Sequence, residues 1–311
     1  MYELSTDQFG AFERCTIQHS VYPQQIQFIP ERGGCLISLR MEDLELLDGY
    51  KTPEEVDFNR WGKSGLLYPF PNRLKGGQYS WLGKQYQFPL NDAERNNALH
   101  GFGMERALTI TSTELTNEKA IVRMTGDYDG SLAYYPWPFR IELSYHLYAP
   151  DMFWFEVAVE NKASNEIPMG LGWHPYFHLA EKAESCELRL PKVDMVGVDA
   201  QMIPTGKRYG YDEFTSPKTI GSTVLDNCFA VEETHLEVSA TLRGPSGGIR
   251  YWQETGPKKF NYLQVFTPPY GTSVALEPMT CNVDAFNNGD GLVGLAPGEV
   301  LRAKAGVQFI R

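Results

Sequence analysis

Phe153-Trp-Phe-Glu-Val-Ala-Val-Glu160 decides the fold class. Aromatic and β-branched residues alternate with polar ones at period two, the pattern of a strand with one buried face. Ala120-Ile-Val-Arg-Met-Thr125 and Phe139-Arg-Ile-Glu-Leu-Ser-Tyr-His-Leu-Tyr148 repeat it. The turn-rich pieces Gly126-Asp-Tyr-Asp-Gly130 and Ala149-Pro-Asp151 separate the three. Consecutive half-buried strands joined by turns predict an antiparallel meander.

Working outward, the same pattern predicts strands over 25–29, 35–40, 188–190, 236–242, 263–267, 273–277 and 300–310. Gly and Pro are spread along the whole chain, so few windows allow a long helix. Short helices are expected only over 53–58 and within 222–229. Residues 205–217 read as a long loop, and Asn287-Asn-Gly-Asp-Gly291 as a tight polar turn. The sum is an all-β protein, a large antiparallel β-sandwich of two sheets. No linker, repeat or low-complexity segment interrupts it, so residues 1–311 are read as a single domain.

The chain has 28 Lys and Arg against 39 Asp and Glu, a formal net charge of -11. That balance argues against a nucleic-acid partner. Five cysteines, Cys15, Cys35, Cys186, Cys228 and Cys281, form no CxxC pair and no even framework. Reduced thiols in the cytoplasm are expected. Met1-Tyr-Glu-Leu-Ser-Thr-Asp7 has no basic segment followed by an apolar one, so no signal peptide is expected. No run approaches the roughly 20 apolar residues of a membrane helix. No phosphate loop, dinucleotide fingerprint or nucleophile elbow is present, and no cofactor is signalled.

The chemistry concentrates in Gly172-Trp-His-Pro-Tyr-Phe-His-Leu179. His174 is either a core histidine bonded to backbone or a general acid held by bulky neighbours and the fixed φ of Pro175. The faces of Trp173 and Tyr176 suit the C–H faces of a sugar ring. His178 lies four residues on, a spacing that binds zinc on a helix; Pro175 argues against a helix, and no metal is expected. His100, in Asn97-Ala-Leu-His-Gly101, is a turn residue or a neutral donor to a substrate oxygen. Glu277, in Val274-Ala-Leu-Glu-Pro278, is a carboxylate among apolar residues, opposite in face to Leu276. It is salt-bridged, or a base whose pKa desolvation has raised. Asn72-Arg73 follows a proline-rich turn, and Arg73 either presents its fork of donors to hydroxyls or is solvated. Asp226 either accepts from vicinal hydroxyls or caps a helix.

Read in order, these segments resemble the aldose 1-epimerase (galactose mutarotase) family. The resemblance rests on Pro71-Asn-Arg73 with Gly76-Gly-Gln-Tyr79, Asn97-Ala-Leu-His-Gly101 and His174-Pro-Tyr-Phe177. It continues through Leu225-Asp226 with Phe229, Leu263-Gln-Val-Phe-Thr267, Leu276-Glu-Pro278, Asp284-Ala-Phe-Asn287 and Leu295-Ala-Pro-Gly-Glu299. It implies a galactose mutarotase-like supersandwich with a sugar cleft in one sheet. It also implies Glu277 as base, His174 as acid, His100 assisting, and Arg73 and Asp226 holding hydroxyls. Trp173 and His178 depart from the galactose-type pattern, which has Asn before the histidine and Asn-Leu after Phe.

The expected function is interconversion of the α and β anomers of a hexose by a monomer or homodimer, with no nucleic-acid or membrane partner. Arg73, Lys75, Arg95 and Arg106 leave open a phosphorylated or other acidic sugar. The rivals are a non-catalytic sugar-binding sandwich, which needs no base, and a glycosidase, which needs two carboxylates.

Overall fold

The computed structural model describes residues 1–233 and 236–311. The meander forms: Lys119–Tyr128, Phe139–Tyr148 and Met152–Asn161 are successive antiparallel neighbours. Phe153, Phe155, Val157 and Val159 are buried, while Trp154, Glu156 and Glu160 are only partly covered. The meander sits in a nine-stranded sheet that continues through Val300–Ile310, Gly247–Glu254 and Glu237–Gly244 to the short strands Glu187–Arg189 and Lys218–Thr219.

An eight-stranded sheet packs against it. Its order is Pro204–Tyr211, Val193–Val198, Asp226–Val231, Tyr262–Phe266, Val274–Met279, Gly172–Trp173 and Leu66–Leu67, with Tyr176–Phe177 also on Val274–Met279. Leu263, Val265, Leu276 and Trp173 fill the space between the two sheets. The Phe155 and Trp173 rings meet there at 4.9 Å. One contiguous apolar cluster runs from Tyr2 to Phe309, so the all-β sandwich has a continuous core.

A third, five-stranded sheet begins with the hairpin Tyr2–Phe9 and Phe12–His19. The helix expected over 53–58 forms as Pro53–Asp57, its start capped by Thr52, whose side chain accepts from the Glu55 N–H at 3.3 Å. The other helix, within 222–229, does not form. Asp226–Val231 is a strand bonded on both sides, because pairing with Val193–Val198 and Tyr262–Phe266 overrides local propensity. Residues expected to loop over 205–217 include the edge strand Pro204–Tyr211, which buries none of its residues and so shows no apolar period. The turn at 287–291 includes the end of a short helix, Ala285–Asn288, stopped by Gly289 at φ 73. Among the described residues no helix is long and apolar enough to cross a membrane. All five cysteines are buried free thiols.

Candidate active site

Strand parity builds the site. Residues directly opposite on neighbouring strands share a face. Asp226 pairs with Phe266, and Gln264 pairs with Glu277. The pairs Gly172↔Met279 and Tyr176↔Ala275 place His174 opposite Glu277 in the same register. Asp226, Gln264, Phe266, Glu277, His174 and Tyr176 therefore share the face turned away from the core. All six line a cleft of about 600 Å³. Across the sheet the order is Asp226, Gln264, Glu277, His174.

Glu277 is 1% exposed and His174 5%. His174 Nε2 lies 3.4 Å from Glu277 Oε1, beyond the usual hydrogen-bond range of about 2.7–3.2 Å. Glu277 Oε2 and His174 Nδ1 are buried and have no partner in the protein. Burial pushes the Glu277 carboxyl well above its ordinary value; Asp226 adds to this and Arg73 opposes it. Burial also lowers His174 to about 3. Each shift favours the neutral form, a protonated Glu277 beside an unprotonated His174, so the two together hold one proton. The Tyr176 ring stacks on His174 at 4.8 Å and 13°, and its hydroxyl donates to the Trp61 carbonyl at 3.2 Å. That anchors the imidazole's rotamer.

His100 meets His174 edge-on, ring centroids 5.1 Å apart. Its Nδ1 accepts the Asn72 N–H at 3.1 Å. Burial first, then His174 and Arg73, lower its pKa well below the ordinary value. A neutral ring that accepts at Nδ1 carries its hydrogen on Nε2. Asn72 and His100 both hold positive φ, 58° and 65°. Such backbone is uncommon outside glycine, although Asn and His adopt it more readily than most residues.

The other polar groups form a chain. Arg73 Nε donates to Asp92 at 2.9 Å and its Nη1 to Asn72 Oδ1 at 3.3 Å. Asn72 Nδ2 donates to Gln264 Oε1 at 3.2 Å, and Gln264 Nε2 to Asp226 Oδ1 at 2.9 Å. Burial raises the Asp226 pKa, with Arg73 opposing. Gln264 was not singled out from the sequence. Its alternation with Leu263 and Val265 was the available signal.

Trp173, expected on the sugar, is not in the cleft. It follows from parity: with His174 facing out, Trp173 faces in, packs against Phe155 and donates through Nε1 to the Ser64 carbonyl at 3.2 Å. His178 also lies outside the cleft lining; its Nδ1 bonds the Thr272 carbonyl at 2.7 Å. Of the four cations read as an anion site, Arg73 alone lines the cleft. Arg106 lies over the Phe102 and Tyr128 rings, and Arg95 is 3.7 Å from Asp92. The cleft also has walls that sequence reasoning missed, Arg32, Phe58, Asn59, Trp61 and Met104.

Known proteins resemble this chain in sequence and in fold. The model of the family described as aldose 1-epimerase matches residues 27–308. The uncharacterized protein YihR of Escherichia coli K12 is 27% identical over 274 residues, covering 86% of this chain and 84% of the relative. A galactose mutarotase-like protein of Clostridium acetobutylicum superposes with a TM-score of 0.86 at 20% identity, covering 99% of this chain and 98% of the other. Galactose 1-epimerase of Lactobacillus acidophilus NCFM superposes with a TM-score of 0.82 at 16% identity, covering 99% and 98%. The fold is thus of the galactose mutarotase-like supersandwich type. With the family model spanning most of its length, the chain belongs to the aldose 1-epimerase family.

Proposed function

We propose that the protein interconverts the α and β anomers of a neutral hexose, with Glu277 as base and His174 as acid. The observation that carries this reading is the buried pair itself, His174 Nε2 at 3.4 Å from Glu277 Oε1 on the floor of the cleft. In the reactive tautomer the pair's one proton has moved from Glu277 to His174; the Glu277 carboxylate then takes the proton of the C1 hydroxyl, and the His174 imidazolium gives its own to the ring oxygen. The C1–O5 bond opens, the aldehyde turns about C1–C2, and reclosure on the other face returns both protons. One proton is taken and one given, so the pair ends as it began. Reversal of the reaction needs each group in either state, and a pair holding one proton between them meets that need. His100 donates Nε2–H to a substrate oxygen. Arg73, Asn72 and Asp226 hold hydroxyls, and Tyr176 holds the acid in place. No step calls for a cofactor or metal.

Formal charge supports a neutral substrate over an acidic one. Besides the buried Glu277, three carboxyl groups, Asp57, Glu105 and Asp226, line the cleft against two guanidiniums, Arg32 and Arg73. A reading as a pure sugar binder leaves the buried, unpartnered Glu277 Oε2 without a use. Five buried thiols suit a reducing compartment such as the cytoplasm. The whole chain, 1–311, works as one domain, since its core is continuous.

The test is anomer exchange followed by NMR or polarimetry on freshly dissolved α-glucose and α-galactose. Catalysed exchange is expected, and Glu277→Gln or His174→Asn loses about 10²–10⁴-fold while circular dichroism stays unchanged. Full activity in both variants overturns the assignment; sugar binding without exchange in the parent protein supports a binder, and cleavage of a glycoside a hydrolase.

A further inference from the structure

The cleft has an aromatic end that the chemistry of a single hexose does not use. Beyond His174 the sheet continues into Leu66–Leu67, and the ladder extends outward through Ser64 N–H to the His174 carbonyl at 2.7 Å and His174 N–H to the Gly65 carbonyl at 3.1 Å. The chain leading into that strand carries Phe58 and Trp61, both lining the cleft and exposed by 81% and 40%. Trp61 meets Tyr270 edge-on at 5.4 Å. A side chain at Gly62 would begin 3.8 Å from His174 Cδ2, so this wall stands directly beside the acid.

The wall is fixed. Asn59, Trp61 and Ser64 all hold positive φ, at 49°, 65° and 52°. A bulky residue such as tryptophan takes that conformation only when its surroundings impose it, and such outliers concentrate at binding sites. Here the Tyr176 hydroxyl holds the Trp61 carbonyl, and the Tyr50 hydroxyl holds Asn59 Oδ1 at 2.9 Å.

The order across the sheet sets which part of a sugar meets this wall. It runs Asp226, Gln264, Glu277, His174, then Trp61. In a pyranose the ring oxygen has C1 on one side and C5, bearing C6, on the other. With C1 at Glu277 and the ring oxygen at His174, C2 and C3 fall toward Gln264 and Asp226. C5 and C6 fall toward Trp61. Resting on those proposed roles of Glu277 and His174, we propose that Phe58 and Trp61, backed by Tyr270, form a second-ring subsite for an aldose whose O6 carries another hexose. Aromatic faces stack on the C–H faces of a pyranose. A C6 anion fits less well. The nearby Arg32 is engaged by the Val56 carbonyl at 2.8 Å, by the Asp57 carbonyl and by the Asp57 carboxylate at 3.5 Å.

Anomer exchange by NMR on glucose, maltose, isomaltose, melibiose and glucose 6-phosphate tests this. The 6-linked disaccharides, isomaltose and melibiose, are expected to exceed glucose and the 4-linked maltose in kcat/KM by about tenfold, the scale of one aromatic stacking contact. Trp61→Ala brings the ratio of 6-linked disaccharide to glucose down to about one, and Trp61→Phe, which keeps a stacking face, retains most of it. Equal kcat/KM for all neutral sugars in the parent protein overturns the subsite, as does preference for the phosphate. A Trp61→Ala variant that loses equally on every sugar also overturns it, because that marks a structural role. Absence of catalysis on every sugar overturns the epimerase reading itself, a different result from exchange without preference.

Discussion

The Asn72 N–H donates to His100 Nδ1 at 3.1 Å, while the His100 N–H donates to the Asn72 carbonyl at 2.8 Å. The two residues grip each other through backbone that both hold at positive φ. Two consequences follow for His100: its ring orientation is fixed, and its Nε2 is the hydrogen-bearing nitrogen. With its pKa driven well below the ordinary 6.5, it stays neutral at physiological pH. Nitrogen-15 NMR of the imidazole is therefore expected to show an Nε2–H tautomer that does not titrate between about pH 5 and 8, the range where histidines normally do. A midpoint near 6.5 contradicts the geometry.

The pH dependence of kcat/KM follows from the buried pair. The active form carries one proton on His174 and Glu277 together. Adding a second proton charges His174, whose pKa burial has lowered to about 3 from 6.5. Removing the proton charges Glu277, whose pKa burial has raised. The acid limb is therefore expected near pH 3, far below the ordinary histidine value, and the alkaline limb well above the ordinary carboxylate value of 4.5. An acid limb at the ordinary histidine value sinks this account of the pair.

Glu277 is also costly to fold. Below its ordinary value of 4.5 the carboxyl is protonated in both folded and unfolded chains, and burial of its charge costs nothing. Above 4.5 the unfolded chain releases the proton while the folded one retains it, so stability falls as pH rises until the folded pKa is passed. Glu277→Gln removes that titration. The variant is expected to gain Tm over the parent at pH 8, with the gain shrinking toward pH 4.5. A Tm difference independent of pH contradicts it.

Trp173 and His174 are neighbours in sequence with opposite surroundings, and that separates their variants. Trp173→Ala opens a hole against Phe155 and strands the Ser64 carbonyl, at a cost of about 3–5 kcal/mol. Tm is expected to fall by on the order of 10 °C, with KM unchanged in the protein that remains folded. A raised KM at unaltered Tm would return Trp173 to the sugar.

Strand alternation made the sandwich readable, because Phe153, Phe155, Val157 and Val159 are on the buried face of a central strand. Pro204–Tyr211 and Tyr2–Phe9 were not readable in the same way, since most of their residues are exposed. In the cleft, residue type alone left His174, Glu277, His100, Arg73 and Asp226 each with a structural alternative, and only the order of their motifs along the chain pointed to one shared site. Trp173 was misplaced because its aromatic neighbourhood was read without its parity. Trp61 carried no local signal at all, for its place depends on hydrogen bonds to Tyr176 and on the ladder beside His174, contacts more than 100 residues distant.

Gln264 ties the two halves of the site together, and it is 3% exposed. It accepts from Asn72 and donates to Asp226, so it fixes two groups proposed to hold hydroxyls. Gln264→Leu keeps the volume but strips the buried Asn72 amide and the half-buried Asp226 carboxylate of their partner, at about 1–3 kcal/mol. Asn72 is also the residue that orients His100, so the loss reaches the catalytic pair only through position. The expected signature is a Tm drop together with a higher KM, and kcat within about tenfold of the parent, less than the loss from removing a general acid or base. Gln264→Glu separates geometry from charge. It still accepts from Asn72 but puts a carboxylate against Asp226, and should lose more than Gln264→Leu above the pKa of that pair. A Gln264→Leu protein with unchanged KM would break the link between Asn72 and Asp226 as parts of one sugar-holding chain.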